Sequence, residues 1–277
     1  MRVIKNSSVV NAVAELCKKA AYTLPQDIIK SLTSAKRTEK GLAKEIIKLT
    51  LENAKIAQKG VFPLCQDTGT AVLFAELGQR VQIEGSLEDA LQNGIKKGFK
   101  ENYLRKSIVK EPLFERKNTK TNTPAIIHYK IVNGNKLKIT LMLKGGGAEN
   151  KSQIKMFNPT VCKEEIIDFI ISAVKTAGAS ACPPLIIGIG LGGNFETAPL
   201  LAKQALLRSK PNKNTNYKKL EQEILKKINQ TNIGPQGFGG KTTAVKVYIE
   251  YAPCHIASLP CAVNICCHSA RHAGVTL

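Results

Sequence analysis

The chain has 277 residues, of which 43% are hydrophobic, so it can bury the core of one large domain or two ordinary ones. It contains no run of about eighteen uncharged apolar residues, which excludes a membrane-spanning helix. The net charge of +20 allows a polyanion partner, but the lysines are scattered and Trp is absent, which argues against a nucleic-acid surface. The first residues lack the layout of a signal peptide, so we expect a cytoplasmic protein with reduced cysteines.

The predicted elements alternate between helices and strands after a helical beginning. Residues 1–60 carry apolar side chains at helical spacing and predict three helices. Further along, Asn133-Gly134 predicts a pair of strands joined by a turn, and residues 144–147 predict a flexible glycine loop. The strands are expected at 71–75, 125–132, 137–143, 185–191 and 243–251, and the later helices at 86–100, 163–176, 195–207 and 220–228. This alternation predicts an α/β fold, with a single mixed domain over residues 1–277 and a helical part over about 1–60.

One glycine string lies between a predicted strand and a predicted helix. Gly188, Gly190 and Gly193 have the spacing of a dinucleotide-binding fingerprint. The acidic residue expected about twenty positions later is missing, and Arg208 and Lys210 occupy that region. The string therefore favours a tight strand–helix turn, or an anion site at the start of the helix. A NAD-dependent oxidoreductase is kept as a minor alternative.

The cysteines and histidines near the end of the chain suggest a metal site. Cys261, Cys266, Cys267, His268 and His272 could bind zinc, but the chain has no C-x-x-C knuckle. A zinc-stabilised nucleic-acid-binding module is thus a second minor alternative. Buried free thiols are common in proteins, and we interpret Cys17, Cys162, Cys254 and Cys261 as core or incidental thiols.

Two other cysteines lie in segments with unusual neighbours. Cys65 is followed by Gln66 and Asp67, which places an amide and a carboxylate beside a thiol at the entrance of a predicted strand. Cys182 is followed by two prolines, which stiffen the backbone and remove hydrogen-bond donors. Rigid placement of a thiol is what a metal cluster requires of its ligands.

These segments belong to a series of strings that occur in one order along the whole chain. The strings are Pro63-Leu-Cys-Gln-Asp-Thr-Gly69, Leu104-Arg-Lys-Ser107, Asn118–His128, Lys144–Asn150, Cys182–Gly193, Ile233–Thr243, His255–Pro260 and Cys267-His268. Together they resemble the class I (iron–sulfur) fumarase and L(+)-tartrate dehydratase family. The resemblance implies the fold of an iron–sulfur hydro-lyase N-terminal domain.

The resemblance also implies a cofactor. It assigns Cys65, Cys182 and Cys267 as ligands of a [4Fe-4S] cluster in which one iron has no protein ligand and can act as a Lewis acid. Spacing alone leaves Cys266 and Cys267 open as the third ligand, and the resemblance favours Cys267.

The substrate contacts implied by the resemblance come from several strings. Asp67 and His255 are implied to be catalytic, and Arg105 to clamp a substrate carboxylate. The ordinary alternatives are a surface charge for Arg105 and a structural histidine for His255. The full implied set of substrate-binding residues is Gln66, Asp67, Arg105, Gly146, Gly147 and His255.

The resemblance finally implies an activity and a partner. We expect the α subunit of a fumarate hydratase, which interconverts fumarate and (S)-malate as in the tricarboxylic acid cycle, or alternatively of an L(+)-tartrate dehydratase. Members with a single chain carry a further C-terminal domain, whereas this sequence stops shortly after Cys267. We therefore expect a heteromer in which a β subunit completes the site for a small dicarboxylate.

Overall fold

The computed structural model describes residues 1–277, which divide into two compact units. The first unit contains Met1–Pro25, Ala54–Gly146 and Arg271–Leu277, and the second contains Gln26–Asn53 and Gly147–Ala270. Each unit has its own four-stranded sheet and its own hydrophobic core. The mixed α/β fold class is therefore confirmed, and the single-domain organisation stays a prediction.

The helices occur where apolar periodicity predicts them, with ends shifted by a few residues. They are α1 (Asn6–Tyr22), α2 (Gln26–Thr38), α3 (Gly41–Gln58), α4 (Leu87–Glu101), α5 (Gly146–Glu149), α6 (Lys163–Ala177), α7 (Thr197–Ala205) and α8 (Thr215–Asn229). The single turn α5 replaces the flexible loop predicted at the glycine run. None of the helices has the length and apolar character needed to cross a membrane.

The strands are more numerous than the sequence suggests. They are β1 (Arg2–Ile4), β2 (Thr70–Gly78), β3 (Val81–Ile83), β4 (Ile126–Val132), β5 (Leu137–Lys144), β6 (Gln153–Phe157), β7 (Leu185–Gly192), β8 (Ala244–Ala252), β9 (Leu259–Cys266) and β10 (His272–Thr276). The sequence pattern does not predict β1, β3, β6, β9 and β10, although β9 lies in the centre of one sheet.

In the first unit the strand order is β10-β5-β2-β4, with helix α1 packed on α4, β5 and β10. The predicted pairing of the two strands joined at Asn133-Gly134 is wrong, because β2 lies between them, parallel to β4 and antiparallel to β5. The connection crosses the end of β2, where the amides of Gly78 and Gln79 donate to Lys136 O and Val132 O, both at 2.9 Å. Strand β2 is the more favourable neighbour, since its apolar residues join the core of this unit.

In the second unit the strand order is β6-β9-β7-β8, with β7 parallel to β8 and antiparallel to β9. Helix α7 packs so closely on β7 that Cβ atoms at Gly188 and Gly190 would lie only 2.1 and 2.0 Å from carbonyl oxygens of α7. The side chain of Asn194 accepts two backbone amides at the start of α7, at 2.8 and 3.1 Å. The close packing of α7 thus explains the glycine spacing in β7. The backbone amides at the start of α7, which an anion would need, already donate to Asn194.

Candidate active site

The Cys65–Gly69 loop leads into β2 and holds the side chain of Asp67 in a fixed position. Asp67 Oδ1 accepts the backbone amide of Gly69 at 3.1 Å, and Oδ2 accepts the amide of Gly146 at 2.8 Å. Two residues that the sequence predicts at one site, Asp67 and Gly146, are therefore in direct contact. The Gly146 amide is bonded to Asp67 and is therefore not available to a substrate.

Glycine is required where this loop meets the end of β5. A Cβ at Gly145 would lie 3.0 Å from Arg271 Nη2 and 3.2 Å from Asp67 Oδ2. At Gly69, φ is +80° and a Cβ would lie 2.6 Å from Lys144 O. At Gly69 the two backbones approach too closely for a side chain, and at Gly145 a side chain would press on the Arg271 and Asp67 side chains.

The same loop is tied to the segment that carries Arg105. The hydroxyl of Thr68 donates to Arg105 O at 2.7 Å. The side chain of Asn122 is fully buried, donates through Nδ2 to Gly69 O at 3.1 Å, and accepts the Ser107 amide through Oδ1 at 2.7 Å. The bond from Thr68 thus holds the backbone of Arg105. Arg105 itself is exposed, so its guanidinium remains accessible.

Cys65 and Gln66 complete the first unit's share of the predicted site. Cys65 is half-buried, and its thiol lies 3.5 Å from Gln66 Oε1. Gln66 is exposed, so its amide can reach a ligand in solution. The first unit thus brings together Cys65, Gln66, Asp67 and the Arg105 segment.

The second unit brings the other two predicted ligands, Cys182 and Cys267, close together. Cys182 has a left-handed backbone with φ 55°, directly before β7. Its carbonyl lies 3.4 Å from the amide nitrogen of His268 and 3.0 Å from His268 Nδ1. Because His268 follows Cys267, the two cysteines lie at the same end of the strands of this sheet. Cys182 is exposed and Cys267 half-buried, whereas Cys266 is buried within β9, so accessibility favours Cys267 over Cys266 as a ligand.

Gln236 secures the segment that follows Cys182. Its backbone amide and its side-chain Nε2 both donate to Pro183 O, at 2.9 and 2.8 Å. The same Nε2 lies 3.2 Å from His268 Nδ1. The segment Ile233–Thr243 therefore stabilises the loop that contains Cys182, a role that its sequence alone does not reveal.

His255 and the two cysteines lie at opposite ends of the strands of this sheet. It follows β8, whose last residue pairs with Gly192, whereas Cys266 pairs with Ile186 near the start of β7. These two positions are six residues apart along β7, so at about 3.3 Å per residue the two ends of the sheet are roughly 20 Å apart. His255 is exposed, and its Nδ1 accepts the amide of Ala257 at 3.1 Å. The structure does not bring His255 together with Cys182 and Cys267.

The remaining cysteines do not offer a zinc site. Cys261 packs in the core of the second unit, while Cys266 has the opposite orientation on β9, because side chains alternate along a strand. Burial raises the pKa of the Cys17 and Cys261 thiols to about 12, so both are protonated near neutrality. No group of three or more His, Cys, Asp and Glu side chains is arranged to hold a metal ion.

Comparison with known proteins finds a match over almost the whole chain. The profile of the Fumerase family, described as fumarate hydratase (Fumerase), matches residues 10–276. A Methanocaldococcus jannaschii protein, provisionally named L(+)-tartrate dehydratase subunit alpha, is 38% identical over 95% of each chain. The L(+)-tartrate dehydratase subunit alpha of Escherichia coli strain K12 is 28% identical over 94% of this chain and 87% of its own.

Proposed function

The chain belongs to the fumarate hydratase (Fumerase) family, and from this premise we propose that it is the α subunit of a hydro-lyase. The proposed reaction is the reversible addition of water to fumarate to give (S)-malate. The observation that carries the proposal is the Asp67 arrangement, a carboxylate fixed by two backbone amides beside the Arg105 segment. The names of the related proteins favour a second candidate, the dehydration of L(+)-tartrate.

The side chains of the Asp67 arrangement suit a 2-hydroxydicarboxylate. A carboxylate can accept about four hydrogen bonds, so Asp67 keeps acceptor positions for a substrate hydroxyl after binding Gly69 and Gly146. The exposed guanidinium of Arg105 can bind a substrate carboxylate through two parallel hydrogen bonds. The exposed amide of Gln66 can donate to the same carboxylate. Asp67 is held where it can orient the hydroxyl and, in the hydration direction, accept a proton from the water that adds to fumarate.

We propose Cys65, Cys182 and Cys267 as the ligands of a [4Fe-4S] cluster. Thiolates are the usual ligands of such clusters, and all three cysteines lie outside any disulfide and are at least partly exposed. Cys182 and Cys267 already share one end of the sheet through His268. A bound cluster with one iron lacking a protein ligand would supply a Lewis acid for the leaving hydroxyl.

A second subunit is part of the proposal. The relatives are named as alpha subunits, and Arg105 is the one arginine of the matched strings, on a segment bonded to the Asp67 loop through Thr68. A dicarboxylate has two anionic groups, and binding the second one requires a further cation. We propose that a β subunit supplies this cation and that the complex acts in the cytoplasm.

The geometry restricts the role proposed for His255. At roughly 20 Å from Cys182 and Cys267 within one sheet, His255 cannot reach a substrate bound there by its own chain. A catalytic role for His255 at that site therefore requires a second copy of the α subunit. Mixing two inactive variants, His255→Ala and Cys182→Ser, should then restore about one quarter of the wild-type activity if two copies form shared sites. No recovery on mixing would remove His255 from the catalytic set.

The proposal is tested by anaerobic co-expression with the β subunit, followed by assays with fumarate and with L(+)-tartrate. Asp67→Asn should lower kcat by about 100-fold or more, as expected for loss of a positioned proton acceptor. The exposed Asp168→Asn serves as the matched control and should keep full activity. Iron content should fall in Cys267→Ser and stay unchanged in Cys162→Ser. A complex that acts on neither substrate would refute the proposed function.

A further inference from the structure

Arg271 lies beside Asp67, although no sequence pattern draws attention to it. The residue is only 3% exposed, and its Nη1 donates to the backbone carbonyl of Asp67. Its own carbonyl accepts the amide of Leu143 at 2.8 Å, directly before β10 pairs with β5. The arginine is therefore anchored to the sheet of the first unit through its backbone while its side chain reaches the Asp67 loop.

The guanidinium of Arg271 is also close to the carboxylate of Asp67. The position that a Cβ of Gly145 would occupy is 3.0 Å from Arg271 Nη2 and 3.2 Å from Asp67 Oδ2, so the two atoms are at most about 6 Å apart. Within that distance opposite charges interact appreciably in a partly desolvated site. Arg271 Nε is buried without a hydrogen-bond partner. The Nη1 bond to the Asp67 carbonyl is therefore the contact that fixes the position of the guanidinium.

Arg271 and the two amides act on different parts of Asp67. The amides of Gly69 and Gly146 bind the two carboxylate oxygens, whereas Arg271 binds the main-chain carbonyl of the same residue. The carboxylate can point in one direction only if both its backbone and its oxygens are held. Lysine cannot replace arginine here, because its ammonium lacks the planar fork that reaches Asp67 O while Nη2 faces Gly145.

We propose that Arg271 is a positioning residue for the hydro-lyase reaction, which fixes Asp67 against the glycine run and supplies the positive charge that balances its carboxylate. This inference rests on the proposed function, since it assigns Asp67 the role of binding the substrate hydroxyl. A misplacement of about 1 Å in a reacting group can lower the rate by about 100-fold. The effect of losing Arg271 therefore falls on kcat more than on KM.

The test uses the co-expressed αβ complex with Arg271→Lys, Arg271→Ala and, as the matched control, Arg116→Ala. Arg116 belongs to the same unit and also donates from Nη1 to a backbone carbonyl, that of Pro112, but it is exposed. Both Arg271 variants should lose about 10- to 100-fold in kcat with little change in KM. Added guanidinium ion should partly restore Arg271→Ala, because it fits the space left by the side chain. Arg116→Ala should match the wild type.

A second measurement does not depend on activity. Hydrogen exchange of the Gly69 and Gly146 amides reports whether Asp67 still accepts them, and both should exchange faster in Arg271→Lys than in Arg116→Ala. Wild-type protection of both amides in Arg271→Lys would overturn the proposal, as would wild-type kcat. A general loss of thermal stability and iron without rescue by guanidinium would also overturn it, by showing a purely structural role. An inactive wild-type complex would refute the proposed function instead, while the exchange result would still decide the role of Arg271.

Discussion

Replacing Asn122 by Ala tests how the Asp67 loop is joined to the Arg105 segment. Asn122 is fully buried and bonds Gly69 O and the Ser107 amide, at 3.1 and 2.7 Å. Gly69 is buried as well, so its carbonyl loses its partner in the variant at a cost of about 1–3 kcal/mol. Ser107 is exposed, and water can replace the bond to its amide for about 0.5–1.5 kcal/mol.

The backbone of Asn122 adds a further term. Its φ is 60°, in the left-handed region that asparagine tolerates and alanine does not, which costs about 1 kcal/mol more. The expected total is about 4 kcal/mol, or roughly 8–16 °C in Tm for a chain of this size. Asn122→Gly separates the two contributions, because it removes the hydrogen bonds and keeps the left-handed backbone free of strain.

Asn118→Ala is the matched control for this prediction. Asn118 belongs to the same string and also bonds two backbone groups, Lys106 O at 2.9 Å and the Lys120 amide at 2.7 Å, but it is exposed. Its loss should cost about 1 kcal/mol, well below the loss at Asn122, since water can take over both bonds. Urea and thermal unfolding measure the difference. Equal stability of the two alanine variants would show that Asn122 does not hold the loop as we argue.

The remaining predictions concern the stability of the two cores. Gly190→Ala should cost about 3 kcal/mol or more in urea unfolding, because its Cβ would lie 2.0 Å from Ala198 O, whereas Gly274→Ala meets only ordinary contacts and should be nearly neutral. The free energy of unfolding should fall between pH 9 and pH 12, because burial raises the pKa of Cys17 and Cys261 from 9.0 to about 12 and the unfolded chain ionises first. In Cys261→Ala this decline should be shallower by about 1.4 kcal/mol per pH unit, and a decline as steep as in the wild type would contradict the effect of burial.

The sequence predicts the helices well because each one needs only its own apolar periodicity. It fails on the pairing at Asn133-Gly134, since that dipeptide is a strong hairpin signal and the insertion of β2 depends on contacts distant in the chain. Strand β9 escapes prediction because Pro260 and Asn264, which are unfavourable in strands, interrupt its apolar run. Local patterns thus identify elements, while sheet order requires knowledge of which faces become buried.

The candidate site is predictable to a similar extent. The strings draw attention to Cys65 and Asp67, because both lie in one short segment of polar residues. In the structure the amide of Gly146, from another string, donates to Asp67. Arg271 could not be found this way, because its importance comes from a contact with a residue about two hundred positions earlier. The separation of His255 from the cysteines could not be foreseen either, since it depends on the direction in which β9 runs.

The polar residues near the proposed ligands fall into two classes with different physical roles. A loop at a strand end has backbone amides and carbonyls that no ladder satisfies, and buried side chains must bond them. Asn122, Gln236 and Arg271 each use their side-chain nitrogens on backbone carbonyls of the loops that carry the proposed ligands. Gln66 and Arg105 keep their polar ends exposed and are the side chains able to bind a substrate. Substitutions in the first class should therefore lower stability or kcat, whereas substitutions in the second should act mainly on substrate binding.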